Sequence, residues 1–421
     1  MTIREDVREY FEREAQRNPA SPSLRASALA QARGHAVERR SLQWIAAAVA
    51  ILLAVAIIAG LLAATALGHK NVAPVPAHAS PSQTAAASTR LCFTVPPPDW
   101  ATAMAKVAAT LDGVNFGAGA IDEQDGVVYG GAWTGSRQII ASVALSTGKM
   151  TEVAPMSASG FGTMTYADGW LVWTEPGPLV LHLWNTRTHE IRQVNAGPQL
   201  EGTVYLTGSH LAPVIGHGYM AWSQPVSSVS AELRVYELAT GHVTILDSGD
   251  VGSLVFAGAD LVWTKRDAGA AHPRFVFADA TTLQPVPAPA ELRGPREIGF
   301  VAASPDRLVW TGTPGMSSPN NGTWFVDDLA ARTIRTYTAH DHYFQFPQLA
   351  GPYLVWFGAD KNSIVDLRSG AGFDVPLPGF VEAAGDTIVV ERVSGLKGGV
   401  SRTDVSLLHP SQLSSLGPCT A

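Results

Sequence analysis

The stretch Asp168-Gly-Trp-Leu-Val-Trp173 sets a pattern that the chain repeats: a turn containing Gly or Asp, then a run of β-formers that ends on an aromatic residue. Further copies are Gly218-Tyr-Met-Ala-Trp222, Asp260-Leu-Val-Trp263, Asp306-Arg-Leu-Val-Trp310 and Pro352-Tyr-Leu-Val-Trp356. Asp125-Gly-Val-Val-Tyr129 and Asp386-Thr-Ile-Val-Val390 are weaker versions. The final positions, 129, 173, 222, 263, 310, 356 and 390, are separated by 44, 49, 41, 47, 46 and 34 residues. That period suits a four-stranded structural repeat.

A continuous apolar run such as Leu-Val-Trp fits a strand covered on both faces, and a tryptophan at its end fills the widening gap between two sheets. The expected fold is therefore all-β, a seven-bladed β-propeller over 91–421, with six blades if the weak last copy is discounted. At Ser304-Pro305-Asp306 and Asp168-Gly169 the chain resembles TolB-like and WD-repeat-like propellers, whose turns read Ser-Pro-Asp-Gly; Arg307 stands where that family has glycine. The resemblance implies a binding platform more than a catalyst.

The seventh repeat runs out of chain before a fourth strand. Leu91-Cys92-Phe93-Thr94-Val95 is the expected replacement, removing an exposed sheet edge. Trp100, Met104, Val107, Ala108 and Leu111 recur at helical spacing behind Asp99, which predicts a helix over 99–111. Cys92 and Cys419 are the chain's only cysteines and stand at the two ends of this region. A disulfide between them is expected in an oxidising compartment.

Upstream, Trp44 to Leu67 is a run of 24 residues without a charge, long enough to span a bilayer core of about 30 Å as a helix. Ala64-Thr65-Ala66 has the small-x-small form of a signal-peptidase site, the rival reading. Arg25, Arg33, Arg39 and Arg40 precede the span and only His69 and Lys70 follow it closely, which predicts a cytoplasmic N-terminus and an extracytoplasmic propeller in a bacterial cell membrane. The expected organisation is a cytoplasmic tail over 1–41, a transmembrane helix over 42–68, a Pro/Ala/Ser-rich linker over 69–90 and the propeller over 91–421. The periodicity of the tail predicts short amphipathic helices, read as a stub on the inner leaflet or as a docking site for a cytoplasmic regulator. It resembles the stubs of membrane-bound anti-sigma-factor-like proteins, without their cysteines.

Residues 91–421 carry nineteen basic against thirty acidic residues, a net of −11, which disfavours a nucleic-acid partner. No nucleophile elbow, phosphate loop, zinc-protease motif or EF-hand is present, and nothing calls for a cofactor. His340 and His342 would share one side of a strand and form a weak metal candidate. The loops that differ most between repeats hold Trp133, Arg137, Lys265, Arg266, Arg274, Arg296, Lys397 and Arg402. This basic surplus suggests a mouth that recognises an anionic envelope polymer or an acidic protein surface. The function expected is a non-catalytic, membrane-tethered binding or scaffolding propeller of the cell envelope, a sensor or regulator. The alternative is a propeller hydrolase or lyase acting on polysaccharide or peptide.

Overall fold

The computed structural model describes residues 88–418, except 136, 157–161, 176–179, 196–211, 228–229, 313–320, 341–344, 358–360, 377–378 and 395–400. These belong to one compact unit, Gln83–Ala421. The predicted tail, the span over 44–67 and nearly all of the linker lie outside the described residues. Among the described residues no helix is long and apolar enough to cross a membrane.

The chain enters through β1 (Thr89–Arg90), β2 (Cys92–Phe93), helix α1 (Pro98–Ala105) and β3 (Val107–Asp112). It then folds into successive antiparallel sheets. The first is β4 to β7 (Asn115–Asp122, Val127–Thr134, Arg137–Ala144, Lys149–Pro155), and the second is β8 to β11 (Met164–Ala167, Trp170–Glu175, Val180–Asn185, Ile191–Asn195). A seven-stranded sheet follows, β12 to β18 (Val214–Gly216, Tyr219–Ser227, Ser230–Glu237, Val243–Ala257, Asp260–Arg266, Arg274–Asp279, Pro285–Val286). The long strand β15 joins its two halves: the stretch from Val243 to Gly249 pairs with β14, and the stretch from Asp250 to Ala257 pairs with β16.

Next come β19 to β22 (Val301–Ser304, Arg307–Thr311, Asn321–Asp328, Thr333–His340) and β23 to β26 (Gln345–Ala350, Tyr353–Phe357, Lys361–Asp366, Ala371–Pro376). The last strands are β27 to β29 (Gly379–Ala384, Thr387–Ser394, Arg402–Leu408). The strands β4, β8, β12, β15, β19, β23 and β27 touch their successors, and β27 touches β4, so the innermost strands close a ring. This is a β-propeller.

Every repeat of the sequence pattern lands on the strand next to the innermost one. Trp173, Trp222, Trp310 and Trp356 are 1% exposed, and Tyr129, Trp263 and Val390 are also buried. The tryptophans pack between sheets, as the physics of a wedge-shaped gap requires. Trp310 is stacked on Phe325 at 5.3 Å and meets the edge of Phe275 at 5.3 Å. Trp324 and Trp356 lie 5.8 Å apart. These large rings bury extensive apolar surface between the sheets alongside the aliphatic residues of the same clusters.

Ring closure departs from the sequence expectation in two places. The helix stops at Ala105, and Val107–Asp112 is an extended strand that pairs antiparallel with β29 and completes the last sheet. Ala109 and Leu111 are buried while Thr110 is exposed, an alternation of period two that overrides the helical reading built on Val107, Ala108 and Leu111. The fourth strand of the last sheet is thus β3 and not Leu91–Val95. Within that segment only Cys92–Phe93 is a strand, β2, which adds in parallel to the outer strand β26, while β1 just before it adds in parallel to the outer strand β22 of the neighbouring sheet. Cys92 is disulfide-bonded; Cys419 lies outside the described residues.

Candidate functional site

The turns that join the innermost strand of each repeat to the next strand gather at one mouth of the ring and are tied to each other all the way round. The Tyr166 hydroxyl donates to Asp122 Oδ2 at 2.5 Å, joining the first two sheets. The Gly218 N–H donates to Asp168 Oδ2 at 2.9 Å, and His217 Nε2 donates to the Gly258 carbonyl at 3.1 Å in the tautomer that this contact requires. Arg307 Nη1 donates to the Gly351 carbonyl at 3.1 Å, and the Gly351 N–H donates to the Gly385 carbonyl at 2.6 Å. Glu123 Oε1 accepts from the Asp386 N–H at 2.6 Å and from the Thr387 hydroxyl at 2.9 Å, which returns to the first sheet.

Two glycines make this packing feasible. At Gly258, with φ of +60°, a Cβ would come within 2.9 Å of the Pro305 carbonyl oxygen, completing the circuit by close contact. At Gly385, with φ of +55°, a Cβ would fall 1.9 Å from Glu123 Oε2. At Gly258 the obstacle is backbone and only glycine fits, whereas at Gly385 a side chain would have to displace the Glu123 carboxylate from its bonds to Asp386 and Thr387. Asp168 and His217, by contrast, hold left-handed backbones with side chains attached, at φ of 54° and 55°. Non-glycine residues in that region cost free energy and cluster at functional sites.

The mouth contains two adjoining hollows. The larger, of about 590 Å³, is lined by Asp122, Glu123, Gln124, Tyr166, Asp168 and Arg187, among others. The smaller, of about 320 Å³, lies between Asp168, His217, Phe256, Ser304 and Pro305. Asp168 borders both. Asp122 is buried, whereas Glu123, Asp168, Arg187 and His217 are exposed to solvent. Burial, with the hydrogen bond to Asp122, pushes the Tyr166 hydroxyl well above its ordinary range, so it stays protonated and remains a donor. The site therefore offers carboxylates, an imidazole and a phenol from three sheets, held by the hydrogen bonds above, with the Arg187 guanidinium on the rim. Such an arrangement can bind a polar ligand or move a proton.

The residues singled out in sequence lie elsewhere, and each described basic one is engaged locally. Arg137 pairs with Glu152 at 2.8 Å, Lys265 with Asp247 at 2.5 Å, Arg266 with Asp250 at 3.4 Å, Arg274 with Asp267 at 2.8 Å and Arg402 with Asp404 at 2.9 Å. Arg296 donates to the carbonyls of Glu291 and Arg293 and lies 5.6 Å over the Trp310 ring. Trp133 packs on the cluster around Tyr129 and Trp173. Lys397 and His342 lie outside the described residues, and of His340 only the backbone, paired with Asn321, is described. Among the described residues no group of three or more His, Cys, Asp or Glu is placed to hold a metal.

The mouth residues Asp122, Tyr166, Asp168, Arg187 and His217 were not singled out as a site by sequence. The signal was present in the repeat itself, because Asp168-Gly169 and Gly218 open two of its copies. Their reading as turns is right. Only the ring shows that the turns of separate repeats meet.

No family model matches the sequence. No curated protein matches it either. Among solved structures, an oligogalacturonate lyase in complex with manganese is similar at 11% identity, with a TM-score of 0.47, over 71% of this chain and 91% of the other. A prolyl endopeptidase is similar at 14% identity and a TM-score of 0.49, over 75% of this chain and 49% of its own. TolB from Acinetobacter baumannii is similar at 11% identity and a TM-score of 0.37, over 53% of this chain and 57% of its own. The chain thus spans about half the length of the last two. Likeness at this level bears on no ligand or activity, and the propeller architecture stands on the strand pairing described above.

Proposed function

We propose that this protein is a ligand-binding propeller whose site is the turn-side mouth. One observation carries the reading: a polar hollow of about 590 Å³ is framed by turns from different sheets that are locked together by side-chain and backbone hydrogen bonds. A rim held in this way pays little ordering entropy when a ligand arrives. The ring is counted as seven blades, because the seven-stranded sheet divides at β15 and each half supplies one innermost strand. Tethering by a helix over 44–67, with the propeller outside a bacterial cell membrane, belongs to the same proposal and is supported by the uncharged run and its flanking arginines. A Cys92–Cys419 bridge is its oxidising-compartment counterpart. An anionic envelope polymer or an acidic protein is the partner class suggested by the basic loop residues, and the cytoplasmic tail is a candidate contact for a regulator.

A second reading, a hydrolase or lyase acting on polysaccharide or peptide, is favoured by the convergence of Asp122, Glu123, Asp168 and His217 on one mouth. One experiment separates the two. The purified protein and D168A are titrated with panels of short oligosaccharides and peptides, following thermal stability and product formation together. A ligand that raises the unfolding temperature of the wild type, fails with D168A and is recovered intact supports the binding reading. Product formation lost in D168A supports the enzyme, and no response to any member of either panel in the mouth overturns the assignment of the site.

A further inference from the structure

Glu382 on β27 and Glu391 on β28 stand where the last sheet meets the first. Phe380 pairs with Glu391 across the β27–β28 ladder, and residues two apart on a strand share a face. Glu382 and Glu391 are therefore diagonal neighbours on one face, at a separation of roughly 7–8 Å. That face is turned to β4, because Val389 and Val405 pack with Phe116 and Val128 in one apolar cluster. Glu391 is fully buried and Glu382 is 9% exposed.

The two carboxyls have few donors. Glu391 Oε1 accepts the Ala118 N–H of β4 at 2.8 Å, and its Oε2 has no partner. Glu382 Oε2 accepts the Gln348 side-chain amide, whose oxygen accepts the Ala383 N–H at 2.6 Å. Among the described residues neither acid is paired with a cation. From the packed elements, Arg392 donates to the Met104 carbonyl, Arg402 pairs with Asp404, Asp112 acts on Arg402, Lys361 pairs with Asp374 at 2.7 Å and Asp122 accepts from Tyr166. Burial raises Glu382 to about 7, and burial followed by repulsion from Glu382 raises Glu391 well above the carboxylate range.

We propose that this pair is a proton-binding site built into the closing seam of the ring, which holds the first and last sheets together while at least one of the two carboxyls keeps its proton and loosens when both ionise. A protonated Glu391 carries its hydrogen on the unpartnered Oε2 and keeps Oε1 free to accept from Ala118. Ionising both places two like charges on one apolar face, where the cost is highest. The ligand of this site is the proton, and its effect is independent of what the mouth binds.

The test follows amide protection factors at Ala118 and Ala383 in the purified full chain from pH 5 to pH 9. In the wild type, protection at Ala118 falls by about tenfold or more as the pH rises, equivalent to one unit of differential proton affinity. E391Q and E382Q, each of which leaves at most one charge on the face, both give a clearly smaller fall than the wild type. A flat wild-type profile overturns the proposal, as does a fall in E391Q equal to that of the wild type. Should E391Q fail to fold, the wild type and E382Q decide between the same two outcomes.

Discussion

Asp168 accepts the Gly218 N–H at 2.9 Å from a left-handed backbone, so a strained residue of one sheet pins the turn of the next. The bond satisfies a turn amide that water would otherwise take, and it fixes the boundary between the two mouth hollows. The tie is direct evidence that the turns act as one rim.

Replacing Asp168 separates the bond from the strain. D168A loses the acceptor and keeps a Cβ in the left-handed region, so stability should drop by about 1–2 kcal/mol. D168G loses the bond but relieves the backbone, and should lose less. D168N retains an acceptor and should stay near the wild type. Urea unfolding of the three variants reads the order directly, and D168G falling below D168A would contradict it.

Trp310 lies between Phe275 and Phe325 and is 1% exposed, so W310A should cost about 3–5 kcal/mol. Trp133 is only half-buried, and W133A should cost clearly less. Thermal unfolding of both would check the contrast. Equal losses would mean that the inter-sheet tryptophans carry no special share of the adhesion.

Cys92 is disulfide-bonded, and its strand β2 adds to the outer edge of β26. C92S should destabilise the domain by about 2–5 kcal/mol. Reductant should lower the unfolding temperature of the wild type and leave C92S unchanged, and a reductant effect of equal size in both would refute the role of this bridge.

Asp327 is fully buried with neither carboxyl oxygen partnered, beside Glu291 and Arg296. Burial, then the Glu291 charge, raises it to about 6 from the usual 3.8. A raised carboxyl binds more protons in the folded state, so its contribution is present at acid pH and is lost as the pH climbs from about 4 to 6, then stays flat. D327N should remove this decline, on the order of 2–3 kcal/mol across that window. Denaturant midpoints of wild type and D327N from pH 4 to pH 7 measure it, and parallel curves would exclude Asp327 as the source.

What the sequence determined by itself was the repeat. Leu-Val-Trp after a Gly or Asp turn reads as a strand covered on both faces, because local propensity and burial demand the same residues, and each copy occupies equivalent strands of the ring. The uncharged apolar run over 44–67 is equally plain in composition, and its membrane role belongs to the proposal. Tertiary structure alone decided how the ring closes and where its mouth lies. Val107, Ala108 and Leu111 fit one face of a helix, Ala109 and Leu111 fit one face of a strand, and only the open edge of β29, which needs a partner for its backbone groups, selects the strand. Likewise Asp122, Asp168 and His217 are ordinary turn residues when read singly. They become a site because ring closure brings turns from separate repeats together, a relation between distant positions that no local pattern encodes.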